Sequence, residues 1–94
     1  MRLTWRAGAF RELQRIYAYI ARDNPTAARE LVERIEAAAA ELAAHPQLGE
    51  EAGRPNYRTK YVPQSHYRLF YRILPARDEV RIVRVRDVRR RPLK

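Results

Sequence analysis

The chain of 94 residues contains no cysteine. A disulfide framework, a Cys-ligated zinc site and a thiol nucleophile are thereby excluded. Two histidines are too few for a His-rich metal site, so neither a metal nor a cofactor is expected. Long apolar runs are missing as well. No stretch approaches the roughly 20 apolar residues of a membrane span, and no charged start followed by an apolar run marks a signal peptide. The expected setting is the cytoplasm, without membrane contact. Only three glycines are present, and there is no internal repeat or low-complexity linker. At this length one domain spanning 1–94 is expected, too short for a second core.

What the chain has is positive charge. Lys and Arg number 20 against 11 Asp and Glu, a net charge of +9, while a hydrophobic fraction of 46% is ordinary for a folded protein. The excess is unevenly placed. Residues 1–47 carry seven basic and six acidic side chains, whereas residues 48–94 carry thirteen and five. A G+C-rich genome would raise Arg and Ala everywhere and does not by itself produce that asymmetry. A localised surface for a polyanionic or acidic partner does, with a merely solvated basic half as the plain alternative.

The periodicity divides the chain in two. Arg2-Leu3-Thr4-Trp5 alternates as a short strand with Leu3 and Trp5 inward. From Ala7, the residues Phe10, Leu13, Ile16, Tyr17 and Ile20 form the stripe of an amphipathic helix that stops near Asp23. Asn24-Pro25 is a helix start, because Asn caps orphan N–H groups and proline at the first position has none to leave unpaired. Ala28, Leu31, Val32, Ile35, Ala38, Ala39 and Leu42 form the second stripe, which ends at His45-Pro46. The short link makes the two helices an antiparallel hairpin. Pro46 to Pro55 reads as a connecting loop.

The period then changes to two. Tyr57 to Val62 and Tyr67 to Ile73 read as neighbouring antiparallel strands around Pro63-Gln64-Ser65-His66, and Val80 to Arg86 as a third after a turn at Pro75 to Asp78. The alternation slips after Ile82, as at a β-bulge or where a second face is partly covered. The expected fold is α+β in the order β-α-α-β-β-β, with the helical hairpin on one face of a three-stranded antiparallel meander.

Alternation sorts the strand side chains. With Leu69, Tyr71 and Ile73 toward the helices, His66, Arg68, Phe70 and Arg72 fall on the opposite face. An inward Tyr57, Thr59 and Tyr61 would add Arg58 and Lys60 to it, and Arg84 or Arg86 with Arg89, Arg90 and Arg91 would extend it. Such a face needs charge for solubility, but a solubilising face normally mixes signs. Contact with phosphates is the reading favoured here. Phe70 would either stack on a base or be covered by the C-terminal tail.

In the order and spacing of Ile20-Ala21-Arg22-Asp23-Asn24-Pro25, His45-Pro46, Leu48-Gly49, Tyr57-Arg58, Tyr67 to Ile73 and Val80 to Val85 followed by Arg89-Arg90, the chain resembles the RelE/ParE family of bacterial type II toxin-antitoxin toxins. The resemblance runs over essentially the whole length and looks closer to the ParE-like branch. It implies a growth-inhibiting toxin held in a hetero-oligomer with a cognate acidic antitoxin, through which alone the complex meets operator DNA. It implies as target either DNA gyrase or the ribosome, where RelE-like members cut messenger RNA without a metal. Bases matching Arg58, Lys60, Arg68 and Arg89 or Arg90 would then contact the RNA.

Cleavage of RNA needs a base for the 2′-hydroxyl and an acid for the leaving oxygen as well as charge for the phosphate. Arg58, Lys60, Arg68 and Arg90 meet only the last need, because guanidinium stays protonated. The RelE pattern has a Tyr near its C-terminus, where this chain ends Arg91-Pro92-Leu93-Lys94. Related toxins often carry a His where Asp87 stands, and Asp87 reads as a partner for a neighbouring Arg. His66, Arg68 and Arg90 are the catalytic candidates that remain. Binding through Arg58, Lys60, Arg68, Arg72, Arg86, Arg89 and Arg90 is better supported than chemistry, with gyrase inhibition as the expected action. Messenger RNA cleavage and a catalytically inactive nucleic-acid-binding homologue are the alternatives.

Overall fold

The computed structural model describes residues 1–89. Strand β1 (Arg2–Trp5) leads into helices α1 (Ala7–Ala21) and α2 (Pro25–Ala44), followed by strands β2 (Glu50–Glu51), β3 (Tyr57–Tyr61), β4 (Tyr67–Leu74) and β5 (Glu79–Asp87). The boundary between the helices forms for the expected reason: Asn24 accepts from Ala27 N at 3.1 Å, and Pro25 occupies the first helical position. Buried Leu31, Ile35, Ala39 and Leu42 of α2 pack with Ala9 and Leu13 of α1 against Leu69, Tyr71, Ile73, Val80, Ile82 and Val85. Leu3 and Trp5 are partly buried against the same core.

The α1 stripe is narrower than its spacing implies. Phe10 and Tyr17 remain 50% and 41% exposed, because the inward line of α1 runs through Ala9 and Leu13, leaving these rings on the flank beside Val32.

The meander β3-β4-β5 is antiparallel as expected, within a sheet of order β1-β5-β4-β3-β2. Two features extend it. β1 pairs parallel with β5, making the sheet mixed, and the segment read as a connecting loop contributes the two-residue edge strand β2. The slip after Ile82 is a bulge: Phe70 pairs with Arg84 but Tyr71 with Ile82, so Val83 is the extra residue.

Candidate functional site

Residues directly opposite one another in an antiparallel ladder share a face, so the register decides which cations meet. In β4 the expectation holds: Leu69, Tyr71 and Ile73 are buried under the helices, and Arg68 and Arg72 point away. In β3 it does not. Arg58 pairs with Tyr71 and Lys60 with Leu69, whereas Tyr57, Thr59 and Tyr61 lie opposite Arg72, Phe70 and Arg68. Arg58 and Lys60 therefore stand on the helix side of the sheet, not beside Arg68. The cause is Val62, which is 1% exposed and donates its N–H to Tyr67 O at 2.9 Å. Val62 has the parity of Arg58 and Lys60, and its burial carries both with it.

The open face is built from the residues this register leaves. Arg68 packs its guanidinium 4.1 Å above the Tyr61 ring, a cation–π contact, and its Nε is buried without a hydrogen-bond partner among the described residues. Arg86 stands opposite Arg68 on β5, Arg84 opposite Phe70, and Arg81 opposite Arg72. Phe70 is covered by Tyr57, the rings stacked at 6.2 Å between centroids and 24° between planes, and Arg54 lies 4.9 Å over Tyr57. The face is thus an aromatic row, Tyr57, Phe70 and Tyr61, set among guanidinium groups. At its outer edge Glu50 lies opposite Thr59.

Glu79 is the buried carboxylate of this face, 2% exposed, and it is saturated. Thr4 Oγ1 donates to it at 2.5 Å, Arg81 Nε at 3.1 Å and Arg2 Nη2 at 3.4 Å. Above all the Thr4 hydrogen bond, then those from Arg81 and the nearby Arg charges, hold its carboxyl below the usual carboxylate range against the opposing effect of burial.

The remaining sequence candidates are dispersed. Arg58 Nη1 donates to Gly49 O at 2.6 Å, on the side where Tyr71 donates to Pro46 O at 2.6 Å and accepts from Gly49 N at 2.9 Å. Arg89 folds back on Asp87, donating through its backbone N at 2.9 Å, Nε at 3.2 Å and Nη2 at 3.1 Å. Asp87 is thus a partner for a neighbouring Arg, as its position implies, and that hydrogen-bonded pairing raises the Arg89 pKa further. Asp87 pairs with Tyr67, placing it on the parity of the buried Leu69 and away from Arg68 and Arg86. His66 is exposed in the turn, its carbonyl accepting from Val88 N at 2.8 Å. Arg90 lies outside the described residues. Of the proposed binding set, the fold brings together Arg68, Arg72 and Arg86, and joins to them Tyr57, Tyr61, Arg81 and Arg84. Among the described residues no group of three or more His, Cys, Asp or Glu is arranged to hold a metal, and no helix is long and apolar enough to cross a membrane.

Known structures share this arrangement of strand, helical hairpin and meander. A chain of the chromosomal ParDE TA system from P. aeruginosa superposes with a TM-score of 0.80 at 24% identity, covering 94% of this chain and 96% of that one. The isolated RelE toxin of E. coli follows at a TM-score of 0.67 and 18% identity, covering 96% and 86%. A YoeB/ParE toxin from Agrobacterium tumefaciens gives 0.63 at 16% identity, covering 93% and 98%. No curated protein matches the chain by sequence. The family model of the ParE toxin of type II toxin-antitoxin system, parDE, matches residues 3–92, and the chain belongs to that family.

Proposed function

We propose that this type II toxin inhibits growth by binding DNA gyrase in the cytoplasm, without cofactor or chemistry of its own, and is neutralised by a cognate acidic antitoxin through which the pair meets operator DNA. The observation that carries this reading is the surroundings of Arg68. Its cross-strand neighbours are Tyr61 and Arg86. Of the carboxylates on that face, Glu79 is consumed by Thr4, Arg81 and Arg2, and Glu50 stands exposed at the far edge. Guanidinium groups grip phosphates or acidic protein surfaces but do not take up a proton from a 2′-hydroxyl. Arg68, Arg72 and Arg86 are the binding residues of this reading, with Arg90 a further candidate.

One observation favours ribosome-dependent messenger RNA cleavage as a second reading: the Tyr61 phenol lies directly under the Arg68 guanidinium. Two assays on the purified protein separate the readings. Inhibition of gyrase supercoiling, with messenger RNA left intact on programmed ribosomes, is the expected result. Cleavage with unimpaired supercoiling would replace the first reading by the second. Normal growth on expression without an antitoxin would remove both.

A further inference from the structure

The basic excess is not confined to the sheet. Residues 1–22 carry five Arg and one Glu, whereas residues 23–47 carry two Arg and five Asp or Glu. The helical hairpin is therefore polarised, a basic α1 beside an α2 whose Glu30, Glu33, Glu36 and Glu41 are exposed. The cations of α1 gather in one place. A cleft of about 430 Å³ runs between α1 and β5, lined by Arg6, Arg11, Glu12, Arg15, Val83 and Arg84.

The carboxylate in this lining is occupied. Glu12 Oε1 accepts from Val85 N at 2.9 Å and Glu12 Oε2 from Arg84 Nη2 at 3.2 Å. The exposed Arg6, Arg11 and Arg15 form no ion pair among the described residues. Arg84 also joins the cleft to the open face of the sheet. It stands opposite Phe70, on the side of Arg68, Arg72 and Arg86, yet its guanidinium reaches Glu12 on α1. The cations thus form one track that crosses the open face and turns round β5 to the helix. Arg11 and Arg15 lie one turn apart on the same line of α1, so both can meet one extended polyanion.

We propose that this cleft binds the phosphate backbone of duplex DNA through Arg6, Arg11, Arg15 and Arg84. This deepens the gyrase reading and rests on it for the choice of DNA: the toxin holds the DNA on which the enzyme acts. The lining favours a nucleic acid over an acidic protein. Guanidinium forks match phosphate oxygens bidentately, and the cleft has none of the aromatic side chains that anchor a protein interface. The same lack removes the ring on which the base of a free nucleotide could stack. What the cleft offers is charge in a row, which suits a backbone.

The test follows the anisotropy of labelled DNA duplexes of two unrelated sequences with the full chain across a salt series. Equal binding to both is expected, since phosphate contacts carry no sequence information. Each phosphate neutralised adds about 0.9 to the slope of log affinity against log salt. Arg6→Ala combined with Arg11→Ala and Arg15→Ala should therefore lower that slope by about 2–3 and weaken binding about tenfold or more at low salt. The same three positions changed to Lys should keep the slope, because the charge remains, and Arg29→Ala on α2 should bind as wild type does. These side chains are exposed, so all variants should melt close to wild type. No binding at low salt, or an unchanged slope in the Ala variant, overturns the proposal. So does displacement of the duplex by polyglutamate or by a nucleoside triphosphate at equal charge concentration, or a preference for single-stranded RNA. Gyrase supercoiling keeps the two readings apart. If wild type and the Ala variant inhibit gyrase equally and bind DNA equally, the cleft proposal fails and the gyrase reading stands. If wild type binds DNA through the cleft while supercoiling is unimpaired, the gyrase reading fails and DNA binding by the cleft stands.

Discussion

Glu79 shows how a single side chain here combines structural and electrostatic roles. It is the carboxylate on which Thr4 and Arg2 of β1 and Arg81 of β5 converge, so it ties the parallel edge strand to the meander. Its pKa is lower in the folded protein than in the unfolded chain, so the unfolded state binds more protons in the acid range. The stabilisation is therefore present above the ordinary carboxylate value of 4.5 and is lost as pH falls through the lower folded value. Glu79→Gln is expected to lower Tm at neutral pH and to flatten the fall of Tm on acidification below that value. Thermal melts across the acid range check this, and an unchanged slope would remove Glu79 from the account. Arg89 and Asp87 form a contrasting pair. The Arg89 side chain is 61% exposed, and a solvated pair of this kind contributes about 0–1 kcal/mol.

At the scale of elements, the turn Pro46–Leu48 with Gly49 is fixed to β4 by one phenol. Tyr71 reaches through the sheet edge to Pro46 O and Gly49 N, and burial raises its pKa despite the opposing influence of the Gly49 hydrogen bond and of Arg58, keeping it a neutral donor. Gly49 is required by close approach: a Cβ there would lie 2.5 Å from Tyr71 Oη and 2.7 Å from Thr59 O. Gly49→Ala is expected to cost about 1–3 kcal/mol by overpacking. At this chain length each kcal/mol lowers Tm by about 4–8 °C. A melt unchanged from wild type would show that the turn yields without cost. The short strand β2 follows directly on this turn, which explains why Pro, Gly and acidic residues that read as a loop nevertheless extend the sheet.

At the scale of the whole molecule, the sheet separates its cations into two populations. Arg68, Arg72 and Arg86 face away from the helices, whereas Arg58 is bonded to Gly49 O beneath them. Different losses are expected. Arg68→Ala should relieve growth inhibition at a cost of about 0.5–1 kcal/mol in stability, the loss of the cation–π contact with Tyr61. Arg58→Ala should cost about 0.5–1.5 kcal/mol through the lost hydrogen bond. Paired growth assays and melts read both, and full toxicity of Arg68→Ala would dismiss the open face as the working surface.

The sequence by itself determined the elements, since helix stripes, the Asn24-Pro25 start, the strand alternation and the slip after Ile82 are local patterns set by backbone geometry. It also determined that Leu69, Tyr71 and Ile73 face inward, because only that choice buries an apolar row. Only the tertiary structure decided which cations share a face. Tyr57-Arg58-Thr59-Lys60-Tyr61 alternates two amphipathic sets, and the tyrosines look like the inward one until Val62, at the far end of the strand, is seen to be buried with the opposite parity. The aromatic row of the open face was equally hidden, because it exists only where strands distant in sequence come into register.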